Sequence, residues 1–363
     1  MIFNSIIPLP YYTTVFYNVI LFITLIAFLN LQLKGYVIYN PKKKEYASLI
    51  LLFVVTLYMG LRPVSGRYFG DMGVYYHNFQ FYASGGEITR SRDLLWNIFM
   101  KLSSGIMNVQ LFFILCAVLY IVPLYKAAKN WLGVDRYFLF LMLVASFSFW
   151  SYGTNGIRNG IATSLFVLGL SYYKHRYWQF GLIALSYFIH GSILIPMVAF
   201  LLTIFYKNPK YYLYGWLLAI PISLVFGGVM ETFFISLGFG GQRAEYLTMR
   251  EFDNQFSSTG FRWDFLIYSA SAVFAGYYFI FKKKFNDKVY IQLFNMYVIA
   301  NAFWVLVIRA SFSNRFAYLS WFLMAVVIFY PFFKQQFFKK QQRVLAYSVI
   351  VYFGFTYIMF LIM

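Results

Sequence analysis

The sequence predicts an all-α, polytopic integral membrane protein of about ten to twelve transmembrane helices, with two sizeable outward loops. Three observations predict it. Of the 363 residues, 61% are apolar and only 11% charged, with a mean hydropathy of +0.65, which lies outside the range of soluble domains. Apolar runs of membrane-spanning length recur from one end of the chain to the other. Aromatic residues reach 24%, and many Tyr and Trp sit near the ends of those runs, as in an interfacial belt.

Spans are expected near residues 12–33, 46–62, 108–126, 136–152, 156–173, 212–236, 263–281, 290–308, 316–333 and 344–362. The start, MIFNSIIPLPYYTTVFYN, has no basic segment and no small-residue cleavage site, so the first run is expected to remain a permanent span. The stretch 179–205 lies between two basic turns and must cross an even number of times or dip and return. Each half, divided near His190-Gly191-Ser192, is short for a full span, so a re-entrant pair and two short tilted helices both fit. No internal repeat is visible, which disfavours inverted-repeat transporter folds, and residues 1–363 read as a single transmembrane domain. Cys116 is the only cysteine and falls mid-span. That excludes disulfides and cysteine metal sites and leaves packing as its role.

Two connections are long enough to do more than connect. Segment 62–93 (LRPVSGRYFGDMGVYYHNFQFYASGGEITRSRD) and segment 237–263 (LGFGGQRAEYLTMREFDNQFSSTGFRW) both mix Gly, Arg, acids and aromatics, as ordered binding loops do. After the first, DLLWNIFMKL (93–102) puts Leu94, Leu95, Ile98, Phe99 and Leu102 on one helical face. That suits a helix lying on the membrane surface ahead of the span at 108.

Basic residues sort into two alternating groups. One comprises Lys42-Lys43-Lys44, Lys126/Lys129, Lys174/Arg176, Lys207/Lys210, Lys282-Lys283-Lys284/Lys288 and Lys334/Lys339/Lys340/Arg343. It is nearly all lysine, as expected of cytoplasmic turns. The other comprises Arg62, Arg67, Arg90, Arg92, Arg158, Arg243, Arg250, Arg262, Arg309 and Arg315, with Lys101 its only lysine. Topology alone disfavours positive charge there. Insertion is indifferent to Lys versus Arg, but bidentate binding of phosphate or carboxylate is not. The sorting therefore points to an outward-facing site for an anionic ligand. The formal charge of +19 reads as topology and contact with anionic lipid, not nucleic-acid binding, since no soluble basic domain is present.

Arg158 is the strongest single candidate. It opens a hydrophobic helix at its outer, amino-terminal end, where free N–H groups and the helix dipole add to its own charge. Gly156 and Gly160 beside it allow close approach of another group; snorkelling to lipid headgroups is the plainer alternative. Asp71 suits orienting Arg67, or binding or deprotonating a hydroxyl, against a loop-ordering role. Tyr75 and Tyr76 could stack on sugar rings, a weak signal among 34 tyrosines. His190 is the one histidine inside an apolar stretch, placed to act as base, acid or donor, or simply as a structural histidine. Arg243, Arg309 and Arg315 have few acids near them in sequence. Arg250 and Arg262 could equally be paired with Glu245, Glu251, Asp253 and Asp264. There is no phosphate loop, HExxH or nucleophile elbow, and no acidic cluster to hold a metal on a sugar nucleotide.

Several segments resemble the EpsG-like branch of the Wzy-type bacterial polysaccharide polymerases. They are GRYFGD-x3-YY (66–76), the amphipathic stretch from Asp93, NGIRNGIA (155–162), SYFIHGSILIP (186–196) and the Arg309/Asn314-Arg315 pair. The resemblance runs over roughly residues 45–330. It implies a GT-C-like, metal-independent glycosyltransferase-type enzyme of the bacterial inner membrane, active on the outward face. Such an enzyme joins undecaprenyl-pyrophosphate-linked oligosaccharide repeats into O-antigen, capsule or exopolysaccharide chains and releases the lipid pyrophosphate. No cofactor is implied. The implied partners are the lipid-linked oligosaccharide, membrane lipid, and a chain-length regulator and flippase of the same pathway. Carried over, Arg158 would meet the pyrophosphate, with Arg67, Arg243, Arg309 and Arg315 lining the cavity and Asp71 and His190 in acid–base or positioning roles. No second carboxylate stands out as a partner base. The rival readings are a lipid-linked oligosaccharide flippase or other transporter, and another lipid-linked glycan transferase such as a ligase.

Overall fold

A computed structural model of the chain describes residues 7–33, 41–89, 93–236, 260–310 and 314–362, and among them every regular element is helical. In chain order the helices are α1 (Tyr12–Leu33), α2 (Pro41–Gly60), α3 (Gly66–Phe69), α4 (Met72–Ala83) and α5 (Leu94–Ile106). Next come α6 (Val109–Leu132), α7 (Arg136–Val144), α8 (Phe147–Thr154), α9 (Ile157–Ser171) and α10 (Arg176–Ile189). Then follow α11 (Leu194–Phe205), α12 (Pro209–Ser236), α13 (Trp263–Tyr277), α14 (Lys288–Leu306), α15 (Asn314–Trp321), α16 (Met324–Phe329) and α17 (Gln341–Ile362). Seven helical stretches among the described residues are long and apolar enough to cross a membrane, and α9 and α11 are shorter apolar helices. Large apolar side chains face outward: Phe53 is 65% exposed and Val351 72%. Such a surface is tenable against hydrocarbon but not in water. The chain is the polytopic helical membrane protein its composition predicts.

The chain divides into two compact units, Met1–Ile193 with Phe332–Met363, and Leu194–Pro331. In the first, α6 packs against α2, α7 and α9, and α9 packs against α8 and α10. Helix α6 is 24 residues long, about 36 Å at 1.5 Å per residue. At its carboxyl end Lys44 pairs with Asp135 at 2.8 Å and Arg136 with Glu45 at 2.5 Å, while Lys334 donates to the Trp131 carbonyl. At its amino end Gln110 donates to the Gly60 carbonyl at 2.8 Å, and Phe112 packs against Phe79, Trp96 and Phe99. Turns that the charge pattern places on one face thus meet at one end of α6. Arg136, outside both basic groups of the sequence reading, lies at this same end and is held by Glu45 and the Tyr125 hydroxyl.

In the second unit Trp304, Trp321, Tyr290 and Tyr297 are fully buried. Tyr290 donates to the Val327 carbonyl and Tyr297 to the Ser269 carbonyl, the Trp304 indole N–H is buried without a partner among the described residues, and further polar atoms pair between helices. Trp216 Nε1 donates to Asn301 Oδ1 at 2.7 Å, Asn301 Nδ2 to Ser320 Oγ at 3.0 Å, and Trp321 Nε1 to Ser269 Oγ at 2.6 Å. With no hydrophobic drive between helices in lipid, such contacts and close packing hold spans together.

Several elements differ from the sequence expectation. Within segment 62–93, residues 66–69 and 72–83 are helical, as α3 and α4. Ser65 caps α3 by accepting the Tyr68 N–H at 3.3 Å, and the two helices cross where Gly66 and Gly73 meet. A Cβ at Gly73 would stand 3.0 Å from the Gly66 Cα. The span at 136–152 breaks between α7 and α8, where Ser146 turns its hydroxyl back to the Leu143 carbonyl at 2.8 Å. Residues 179–205 form two short helices, α10 and α11, separated at His190–Ile193. The expected span at 316–333 stands as the apolar stretch Arg315–Phe333, with a turn between α15 and α16 inside it. On α5, Leu94, Ile98, Leu102 and Ile106 are exposed at four-residue spacing while Trp96 and Met100 are buried. This is the outward apolar stripe expected of a surface helix. Leu95 and Phe99 are instead half-buried, with Phe99 drawn onto Trp96 and Phe112.

Candidate active site

Helix α9 starts at Ile157, one residue before Arg158, so Arg158 lies in the first turn of a helix whose remaining length is almost wholly buried. Gly160 is what brings it there. A Cβ at that position would stand 2.6 Å from the Tyr152 carbonyl oxygen of α8, so glycine is required for the two helices to fold back this tightly. The turn between them, Asn155-Gly156, anchors the GRYFGD segment: Asn155 Oδ1 accepts the Asp71 backbone N–H at 2.8 Å. Gly70 has φ +55, and a Cβ there would lie 2.5 Å from Asn155 Oδ1. Positive φ and close approach together make glycine necessary at this position.

Three charged or titratable groups converge at this end of the first unit. Arg158 Nη1 lies 2.9 Å from Asp93 Oδ2. The other carboxylate oxygen, Oδ1, lies 3.3 Å from His190 Nδ1 and accepts the Gly191 N–H at 3.2 Å. The Asp93 side chain is 7% exposed, His190 14% and Arg158 30%. Asp93 reaches both partners from the amino end of α5 in the left-handed region, φ 52 and ψ 42, a conformation that Asp tolerates better than most residues. Burial raises the Asp93 pKa. The hydrogen bond from His190, the charges of His190 and Arg158, and the Gly191 N–H outweigh it and hold the carboxyl at about 2. The His190 turn is fixed from its other side by Ser192 Oγ, which donates to Asn159 Oδ1 at 3.1 Å, one residue after Arg158. The Arg158 Nε is buried with no hydrogen-bond partner, so the guanidinium is satisfied along one edge only.

The expectation that no second carboxylate partners the site is corrected: Asp93 is that carboxylate. Three helices contribute to the cluster, and 97 residues separate Asp93 from His190, so nothing in the local sequence joins them. The one available signal was an acid at the start of an amphipathic helix. Asn155, Asn159 and Ser192 were likewise present in the quoted motifs without being singled out.

Other candidates are placed as follows. Asp71 is exposed and offers its backbone, not its carboxylate, to Asn155. Among the described residues it forms no ion pair with Arg67, which is exposed and stacks over Tyr68 at 5.6 Å. The structure therefore gives the expected orienting role of Asp71 toward Arg67 no ion pair. Tyr75 is buried against Trp96, ring centroids 5.5 Å apart. Burial pushes its phenol up to about 12 against the pull of the Arg158 charge, so it stands near Arg158 as a protonated hydroxyl. Tyr76 is half-buried edge-on to His77. Arg62, grouped with the outward arginines, is 1% exposed and sits between the Phe69 and Phe113 rings with a bond to the Met59 carbonyl; no ligand reaches it there. In the second unit Arg309 donates to the Leu224 carbonyl at 3.2 Å. That carbonyl lies at the kink of α12, where Phe226 leaves helical geometry. Arg315 begins α15. Arg262 pairs with Asp264 at 2.6 Å and stacks over Phe265 at 3.8 Å, the self-contained pairing considered for it. Arg243 and most of segment 237–263 lie outside the described residues.

A helical membrane protein with an arginine–carboxylate–histidine cluster at one end of its spans is thus defined. Residues 63–363 match the EpsG family, and the chain belongs to that family. The match opens just before GRYFGD and takes in the whole cluster. Family membership sets the protein in polysaccharide biosynthesis at a membrane. No curated protein and no solved structure matches the chain.

Proposed function

We propose that this protein polymerises lipid-linked oligosaccharide repeat units into a long surface polysaccharide, on the outward face of the bacterial inner membrane and without a metal ion. The carrier in this reading is undecaprenyl pyrophosphate. The growing chain leaves its carrier and joins the non-reducing end of the next lipid-linked repeat. A hydroxyl of the acceptor sugar attacks the anomeric carbon of the donor. The bond from that carbon to the pyrophosphate oxygen breaks, and lipid pyrophosphate departs with the electron pair. The hydroxyl proton passes to a base and then to water.

The observation that carries the reading is the Arg158–Asp93–His190 cluster, at the other end of α9 from the α6 terminus where Lys44 pairs with Asp135. Arg158, on the first turn of α9, has an unsatisfied Nε on its guanidinium and sits at the positive end of the helix. That arrangement stabilises charge as it builds on a leaving pyrophosphate. His190, held against Asp93 through Nδ1, is the ring proposed to receive the acceptor's proton. Because the donor is activated by its own diphosphate, the protein's work is orientation and charge stabilisation. Arg67 and Tyr76, on α3 and α4, are proposed as glycan contacts. Arg243, Arg309 and Arg315 are proposed as further anion contacts.

The test is a gel of surface polysaccharide from a strain lacking this gene, complemented with the wild type or with Arg158→Ala. Loss of long chains with a single repeat still delivered to the surface, in both the deletion and the variant, is the expected result. Lipid-linked repeat trapped inside the cell, with none delivered, would indicate transport and refute the polymerase reading. Normal chains on the lipid carrier that fail to reach a final acceptor would indicate a ligase.

A further inference from the structure

We propose that Asp93 stands in for the substrate's diphosphate: its carboxylate holds Arg158 in the empty site, yields it to the incoming lipid diphosphate, and is then left to position His190. The proposal rests on the function just given and names the event that arms the site.

The division of labour on the carboxylate supports it. The two oxygens of Asp93 serve different partners, Oδ2 the guanidinium of Arg158 and Oδ1 the imidazole of His190 with the Gly191 N–H. Losing Arg158 therefore leaves Oδ1 with both its contacts. The pair is also exchangeable on the arginine side. Arg158 is 30% exposed, more than four times as open as the Asp93 side chain at 7%, and its Nε lies buried without a partner. One carboxylate oxygen satisfies one guanidinium nitrogen, whereas a diphosphate presents several oxygens and more charge to the whole fork. The structure also supplies a reason for Asp93 to stay behind. Its backbone is fixed in the left-handed region at the start of α5, and the Gly191 turn is pinned to α9 by Ser192 and Asn159. An empty site without Asp93 would expose Arg158 to any anion, so the carboxylate also screens out weaker ones.

Exchange predicts opposite effects on binding and turnover, which a merely structural role does not. The probe is undecaprenyl pyrophosphate titrated into the purified full-length protein in lipid nanodiscs. Asp93→Asn removes the competing charge, so the probe is expected to bind about three- to tenfold more tightly, as suits loss of one partly exposed ion pair. In the polymerisation assay the same variant should lose about a hundredfold in kcat with KM for the lipid-linked repeat unchanged or lower. His190→Gln leaves the carboxylate on Arg158 and should bind the probe no more tightly than wild type while losing turnover. It keeps the test decisive if the Asp93 variant does not fold. Arg158-dependent binding that is equal or weaker in Asp93→Asn, or tighter in His190→Gln, overturns the exchange and leaves the polymerase reading standing. Binding that is the same in wild type and Arg158→Ala overturns both.

Discussion

Replacing Arg158 by lysine keeps the positive charge at the start of α9 and removes the planar fork. In the resting site the guanidinium makes one ion pair, Nη1 to Asp93 Oδ2 at 2.9 Å, and leaves Nε unsatisfied. A lysine at this position could restore the pair but not offer a second, parallel donor to the leaving group. Loss of one charge-assisted hydrogen bond is worth about 1.5–3 kcal/mol, so turnover should fall roughly 10- to 100-fold in Arg158→Lys. Arg158→Ala removes all the electrostatic stabilisation and should cost about 10²–10³ in kcat, the scale of deleting one preorganised donor. The alanine also strands the Asp93 carboxylate, whose side chain is 7% exposed, so some loss of stability accompanies it. The lysine variant avoids that complication. The assay is glycan elongation in proteoliposomes with both variants at matched protein level and the folded fraction measured by thermal unfolding. Wild-type turnover in Arg158→Lys would refute the argument from the planar fork.

Other perturbations test the scaffold around the cluster. Gly70→Ala places a Cβ 2.5 Å from Asn155 Oδ1 at φ +55; it should cost about 1–2 kcal/mol from the backbone alone and lower activity. Asn155→Gly should restore part of the loss, read as Tm in detergent. Gly160→Ala drives a Cβ to 2.6 Å from the Tyr152 carbonyl and should lower Tm by forcing α8 and α9 apart. Asn301→Leu leaves the Trp216 indole N–H without its acceptor in the core of the second unit; unfolding should shift by about 1–3 kcal/mol, with no change in KM. Asp93 also predicts a pH dependence. Its carboxyl pKa lies at about 2 against an ordinary value of 3.8. Its stabilising contribution is therefore complete above the ordinary value and disappears as pH falls through about 2. The stability gap between wild type and Asp93→Asn should narrow over that window.

Long apolar runs gave away α1, α12, α14 and α17 closely and α6 and α13 apart from their carboxyl ends, because a span must be apolar over its whole length. Breaks inside buried helices were not legible. Ser146 interrupts α7 and α8 by binding a local carbonyl, and a serine in an apolar run carries no mark of that choice. Segment 62–93 read as a loop because its glycines suggest turns. In the fold, Gly66 and Gly73 serve helix crossing and only Gly70 and Gly85 take positive φ. In the cluster, Arg158 and His190 were legible, since a charge or imidazole in an apolar stretch is conspicuous. Asp93 was not, because an acid at the start of an amphipathic helix looks like an ordinary helix-terminal residue. Its importance comes from α9 and α10 arriving beside it, a long-range event. Asp71 drew attention for the opposite reason: its motif is conspicuous, but the motif's contribution is a backbone contact to Asn155.

The most direct measurement of the central claim reconstitutes the purified protein in liposomes with a lipid-linked repeat unit and follows two quantities together, glycan length and released undecaprenyl pyrophosphate. The account predicts that each added repeat releases one lipid pyrophosphate, and that Arg158→Ala and His190→Gln abolish both without abolishing the fold. Repeat units that cross the bilayer with no lengthening and no release, or elongation that survives the loss of Arg158, would contradict it.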